Sequence, residues 1–300
     1  MIVTGIGQCS LDNLALMDNY PAVDTKKEIL ELHEQGGGPV ATALVALSRW
    51  GVKCRFHGIV GDDDAGKKIL RSLVEEGVTV SGLVIREKAA SQVAFIAIEK
   101  DTAKRTIFWR RPTGRPLQAE ELGADFLNGS ALLLLDGLMG EVSVYAAEKA
   151  RGCGIPIMLD AGRLRADMSD LLKLSDYVVA SEEFAKDLGW KPCRETLLRE
   201  RENLGAKILT ITLGERGSMT ASSDNDYIEV PAFQVHAVDT TGAGDVFHGG
   251  YIYGLLRNWS IKETVTFASA AAAIKCTKIG GRYGIPRLSE AKEFLIERGR

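Results

Sequence analysis

The stretch Asp239-Thr240-Thr241-Gly242-Ala243-Gly244-Asp245 decides how this 300-residue chain reads. It stands between an apolar run at 233–238, which reads as a strand, and a helical pattern over 242–258. Glycines in such a turn let backbone N–H groups face one point, and the helix that follows adds the partial positive charge of its N-terminus. Together they make a site for a phosphate or another oxyanion. A carboxylate beside an anion hole is repelled by the anion the hole accepts. Asp245 therefore implies a task, taking the proton of a hydroxyl that attacks phosphorus. The plainer alternative is a glycine-rich turn in which Asp245 caps the helix.

Outward from this stretch, apolar runs at 2–6, 53–60, 131–136, 155–160, 176–180 and 208–213 read as short buried strands, with the Leu-rich 131–136 as a central one. Helical patterns at 40–50, 65–76 and 142–151 lie between them. Strands alternating with helices predict an α/β chain with three layers, a mostly parallel sheet covered on both faces through right-handed crossovers. Two stretches, about 12–35 and 88–111, break the rhythm. The second holds alternating segments at 91–99 and 105–110 around Lys100-Asp101-Thr102-Ala103, the pattern of a β-hairpin. Both read as insertions that build a small sheet off the main body, a lid or a dimer surface. No repeat or linker divides the chain, so 1–300 reads as a single domain. Helices at 242–258 and 261–275 follow one another, and the small residues Ala268-Ser269-Ala270-Ala271-Ala272-Ala273 permit close approach.

The bulk numbers narrow the class. A hydrophobic fraction of 45% is enough for a sizeable core. A net charge of −3 argues against broad nucleic-acid binding. The five cysteines are scattered, with no C-x-x-C pair, so they read as reduced thiols in a cytoplasmic protein, not a disulfide framework or zinc site. The start, Met1-Ile2-Val3-Thr4-Gly5-Ile6-Gly7, reads as a strand and not a signal peptide, and no apolar run reaches the length of a membrane span. Gly5-Ile6-Gly7 lacks the third glycine of a dinucleotide fingerprint, and no P-loop is present.

Asp239 to Asp245, running on through Val246-Phe247-His248-Gly249-Gly250, closely resembles the C-terminal signature of the ribokinase/PfkB carbohydrate kinase family. Gly37-Gly38-Pro39-Val40-Ala41-Thr42-Ala43 resembles the family's glycine pair and helix, and Gly58-Ile59-Val60-Gly61-Asp62-Asp63-Asp64-Ala65-Gly66 its next loop. Thr212-Leu213-Gly214-Glu215-Arg216-Gly217 is similar to its nucleotide-side loop, and 270–286 to its closing segment. The likeness runs in order over almost the whole chain. It implies a ribokinase-like fold and ATP-dependent phosphorylation of a hydroxyl of a sugar or sugar derivative. Asp245 would be the base, and the Gly242, Ala243, Gly244 and Asp245 backbone the anion hole. Asp12, Gly37, Gly38 and Thr42 would hold the sugar; Thr212, Gly214, Gly217 and Thr240 would border the nucleotide. Asp239 and Thr241, with carbonyls near Gly280 and Gly284, would lie where many members hold K⁺. Mg²⁺ would arrive with ATP, and a homodimer would form through the lid.

The sequence departs from the family at several points. Pro39 and Thr42 stand where Lys or Ser and Asn are common. The N-x-x-E magnesium motif falls on Ser181-Glu182-Glu183-Phe184, leaving Glu182 or Glu183 to serve. Gly36-Gly37-Gly38-Pro39, Lys275-Cys276-Thr277 and Gly280-Gly281-Arg282 resemble a sub-branch that includes sulfofructose kinase, which implies a ketose with an anionic end. Trp109-Arg110-Arg111 on the hairpin, together with Arg163 and Arg165, could meet such an anion; a solvated basic surface is the alternative. Asp136 could instead hold a neutral sugar hydroxyl. His248, one turn after Asp245, reads as a packed or capping histidine. A nucleoside or vitamin kinase, or a non-catalytic sugar-binding protein, would share the fold.

Overall fold

The computed structural model describes residues 1–165, 168–224 and 226–299. The chain opens with β1 (Ile2–Ile6) and leaves it for β2 (Ser10–Met17) and β3 (Glu31–Gly37). It then alternates α1 (Pro39–Arg49), β4 (Lys53–Gly61), α2 (Asp64–Glu75) and β5 (Thr79–Arg86). A hairpin follows, β6 (Val93–Glu99) and β7 (Arg105–Arg110). Alternation resumes with β8 (Ser130–Leu135), α3 (Glu141–Gly152), β9 (Ile157–Ala161), α4 (Met168–Leu174), β10 (Tyr177–Ser181), α5 (Glu182–Asp187), α6 (Arg194–Leu204) and β11 (Ile208–Thr212). After β12 (Ser218–Ser222) and β13 (Tyr227–Val230) the chain closes with α7 (Ala243–Leu256), α8 (Ile261–Lys275) and α9 (Leu288–Glu297).

Nine strands form the large sheet in the order β13-β12-β11-β10-β9-β8-β1-β4-β5. Strands β4, β5, β8, β9, β10 and β11 pair in parallel through the centre at β1; β12 and β13 add an antiparallel edge. The Leu run of β8 shows why. Leu132 and Leu134 face the core shared with α1, α7 and α8, while Leu133 and Leu135 face the core shared with α3 and α4. Side chains alternate with a period of two, so a strand buried on both faces must be apolar at every position. The same alternation places the carboxylates at the strand ends. Asp136 follows Leu134 by two and Asp160 follows Met158 by two, so both fall on the α1–α7–α8 side.

The two stretches that interrupt the alternation meet in a second sheet, ordered β3-β2-β6-β7. β2 pairs antiparallel with β3 and parallel with β6, and β6 with β7 antiparallel. One face is closed by Leu14, Leu16, Ala94, Ile96 and Ile98. The other leaves Phe95 and Phe108 exposed.

The run at 233–238, expected as a strand, carries no strand. It is tied instead to the end of α8, where the Val238 N–H donates to the Cys276 carbonyl at 2.8 Å. The true edge is the β12–β13 hairpin, whose short polar-flanked segments give little apolar signal. The expected close approach of α7 and α8 is present, with a Cβ added at Gly250 lying 2.7 Å from the Ala268 Cα.

Candidate active site

Strand order sets where the site lies. From β1 the sheet grows one way through β4 and β5 and the other way through β8 to β13. An open α/β sheet leaves a crevice beyond the carboxyl ends of its strands where the order reverses. Asp136 closes that crevice directly after β8, its two oxygens accepting from the Gln8 N–H at 2.8 Å and the Leu138 N–H at 3.0 Å. Burial pushes its carboxyl up to about 7 against the pull of those two bonds.

The Asp239 turn enters from the far side. Gly242 takes φ 74°, and a Cβ there would meet the Gly281 Cα at 2.6 Å, so both conformation and space demand glycine. No side chain caps α7. The Ala243 N–H reaches back to the Thr240 carbonyl at 3.2 Å, which takes it out of the anion hole expected for it. The N–H groups of Gly244 and Asp245, still within the first turn, have no intrahelical acceptor.

Asp245 is half-buried, and among the described residues no hydrogen bond engages its carboxylate. That disposes of the capping role. Burial, then the nearby Asp160 carboxylate, raise its pKa from 3.8 to about 7; His248 and Arg105 pull the other way. His248 is buried between two elements. Its Nε2 lies 3.5 Å from Asp160 Oδ1, and its Nδ1 2.6 Å from the Gly244 carbonyl. It thus ties the end of β9 to the first turn of α7.

Asp12 is buried on β2, with one oxygen accepting from Ser10 Oγ at 2.6 Å. Its carboxyl is raised by burial. A Cβ at Gly37 would fall 2.0 Å from the Asp12 carboxylate, so the glycine pair and Asp12 form one wall. Gly38 takes φ 97° and starts α1, placing buried Thr42 against Gly281, with 3.9 Å from its Cγ2 to the position of a Gly281 Cβ. Arg282, buried to 3% exposure, braces this wall through Nη2 to the Gly37 carbonyl and Nη1 to Ser72 Oγ, both at 3.2 Å.

On the other side of α7 a cleft of about 370 Å³ is bordered by Thr212, Gly214, Gly217, Thr240, Ala243, Gly244 and Ser269. The turn of the β6–β7 hairpin overhangs it with Thr102 and Ala103. From the first residue of β7, Arg105 Nη1 donates to Thr240 Oγ1 at 2.6 Å, across from the small sheet to the anion loop.

Three expected contributors stand elsewhere. Arg110 turns to the Ser91 carbonyl at 3.5 Å and towards Asp63. Arg163 pairs at the surface with Glu183 at 3.5 Å and Asp187 at 3.8 Å. The carboxylate of Glu182 pairs with Arg216 at 2.5 Å and Lys186 at 3.3 Å. In place of the N-x-x-E pattern, Ser181 Oγ caps α5 by accepting from the Phe184 N–H at 3.0 Å, and Phe184 is fully buried. The positive charge that does approach Asp136 is that of Arg165, which in turn lies near Arg111.

The K⁺ set also departs from expectation. Thr241 N–H and Oγ1 donate to Asp239 Oδ1 at 2.8 and 2.7 Å, and the Gly280 N–H to Oδ2 at 2.7 Å. The Asp239 carbonyl accepts from Lys275 Nζ at 2.7 Å, and a Cβ at Gly284 would sit 2.2 Å from the Lys275 carbonyl. A lysine ammonium stands among these groups, so they do not fit a metal ion. Sequence reasoning missed Lys275, Asp160, Arg105 and the bracing role of Arg282. Two signals were available, a lysine directly after the apolar run Ala270–Ile274 and an aspartate near the end of an apolar strand.

A sheet of this order, with helices on both faces and a small outlying sheet, is a ribokinase-like α/β fold. Residues 3–288 match the model of the pfkB family carbohydrate kinase, and the chain belongs to that family. It is 28% identical to a ribokinase of Haemophilus influenzae, over 86% of this chain and 87% of that one. It is 27% identical to fructokinase-1 of Zea mays, over 86% and 88%. A ribokinase structure from Thermotoga maritima superposes with a TM-score of 0.85 at 26% identity, covering 98% of this chain and 99% of the other. The sulfofructose sub-branch finds no support in these likenesses. No helix among the described residues is long and apolar enough to cross a membrane.

Proposed function

We propose that the protein transfers the γ-phosphoryl group of ATP to a hydroxyl of a sugar or sugar derivative, with Asp245 as general base. One observation carries this reading: a carboxylate with free lone pairs and a pKa raised to about 7 sits in the first turn of an uncapped helix. A base is most effective when its pKa lies near the working pH. The sugar oxygen attacks the γ-phosphorus, its proton passes to Asp245, and the bond to the ADP oxygen breaks. The N–H groups of Gly244 and Asp245, at the positive end of α7, balance the charge on the transferring oxygens.

Thr212, Gly214, Gly217 and Thr240 border the nucleotide in this reading, and Mg²⁺ would arrive with the ATP phosphates and offset their charge. Asp12, Gly37, Gly38 and Thr42 orient the sugar, with Asp136 accepting from a hydroxyl. Arg165 near Asp136, with Arg111 near Arg165, in place of Arg110 and Arg163, favours a ketose or sugar acid with an anionic end. The small sheet acts as a lid that excludes water, the competing acceptor.

ADP release measured with Mg·ATP across pentoses, hexoses, sugar acids, sulfosugars and nucleosides tests the proposal. Turnover is expected on a sugar or sugar acid. Turnover on nucleosides alone would replace the acceptor, and none on any acceptor would sink the reading.

A further inference from the structure

Lys275 ends α8 after Ala270-Ala271-Ala272-Ala273-Ile274, and its side chain is fully buried at 0% exposure. A buried ammonium is costly unless negative charge surrounds it. Here the surroundings supply it. Nζ donates to the Asp239 carbonyl at 2.7 Å, the Asp239 carboxylate lies on the same residue, and the carbonyl end of α8 adds its partial negative charge. Burial pulls the lysine pKa down, while Asp239, then Cys276 and Asp245, hold its proton on and Arg105 opposes them. Asp239 is also the residue from which the anion-hole turn starts, through its bonds to Thr241 and Gly280.

We infer that the Lys275 ammonium is the resident cation of the anion-hole turn, standing where a monovalent metal ion was expected, and that the protein needs no K⁺ to order this turn. Lys275 is then a positioning residue: it fixes the Asp239 carbonyl and through it the Thr240-Thr241-Gly242 path into α7. The consequence for turnover rests on the proposed kinase activity; the consequence for ion binding does not.

The first measurement uses the unmodified protein. Its thermal midpoint is expected to differ by less than about 1 °C between KCl and N-methylglucamine chloride at equal ionic strength, as for a protein with no K⁺ site. Turnover on the best acceptor found is expected to agree within about twofold in the two salts, because no metal ion positions the turn. A clear K⁺-dependent rise in the midpoint would overturn the inference whether or not any acceptor is phosphorylated. Tenfold activation by K⁺ would do the same.

Two variants then separate charge from volume. Lys275→Ala removes the charge and leaves space, and Lys275→Met removes the charge but fills the space. Both are expected to lose roughly 10- to 100-fold in turnover without K⁺, in line with a disturbed oxyanion site. K⁺ or NH₄⁺ is expected to restore the Ala variant and raise its midpoint, but not the Met variant. Full turnover of Lys275→Met in K⁺-free buffer would refute the role. Should neither variant fold, the salt comparison on the unmodified protein still decides.

Discussion

Replacing Asp245 by Asn is expected to move activity and stability in opposite directions. The carboxyl rises from 3.8 to about 7, chiefly through burial and the Asp160 charge. Three units at ~1.36 kcal/mol each set a ceiling near ~4 kcal/mol for the cost of carrying that charge in the fold. The side chain is only half-buried, so solvent screening reduces this to about 1–2 kcal/mol. The sign follows from linkage. Below pH 3.8 the group is protonated in both states and costs nothing. As pH rises towards 7 the unfolded chain ionises first, and stability falls; above 7 both states are ionised and the deficit is constant. Urea unfolding of Asp245→Asn should therefore match the unmodified protein near pH 4 and exceed it at pH 8. The same variant should lose roughly 10²–10⁴ in turnover, as the proton has no acceptor, while sugar binding persists. A variant that is less stable at pH 8 would refute the strained-carboxylate reasoning, and one with undiminished turnover would refute the base.

Three further outcomes follow from the same geometry. In the unmodified enzyme kcat/KM should fall about tenfold per unit below pH 7, since protonated Asp245 cannot accept the proton; a flat profile from pH 5 to 8 would speak against it. Arg105→Ala should raise the KM for ATP by about tenfold with little change in melting temperature, because the exposed guanidinium contributes at the Thr240 loop and not to the core. The open face of the small sheet, with Phe95 37% and Phe108 49% exposed, should pair with a second copy; light scattering is expected to show a dimer that Phe108→Glu dissociates, and a monomer at micromolar concentration would remove the claim.

The parts of the fold legible in the sequence are those where burial dictates composition. The run Leu132-Leu133-Leu134-Leu135 fills two cores at once, so it could only be a central strand. Asp239 to Asp245 was legible because a turn at φ 74° against Gly281 admits only glycine. The β12–β13 edge was not, because Ser218–Ser222 and Tyr227–Val230 cover the sheet only partly and carry a mixed pattern. Long charged side chains were the least legible part of the site. Arg105, Arg110, Arg111, Arg163 and Arg165 look alike in sequence, and only the fold separates Arg105 on Thr240 from Arg163 on Glu183.

Four carboxylates, Asp12, Asp136, Asp160 and Asp245, share the crevice, and burial raises the pKa of each. What sorts them is the use of their lone pairs. Asp12 accepts from Ser10, Asp136 from the Gln8 and Leu138 N–H groups, and Asp160 faces His248, which in turn holds the Gly244 carbonyl. These three are fixed in place and suited to holding hydroxyls or a neighbouring element. Asp245 alone has both oxygens without a hydrogen bond or ion pair among the described residues, and it is also the one at the open end of α7. The negative charge of Asp160 does two things at once: it orients His248 and it raises Asp245 towards neutral pH. Strand β9 thus sets both the shape of the anion site and the basicity of the group beside it, which explains why an aspartate closes an otherwise apolar strand.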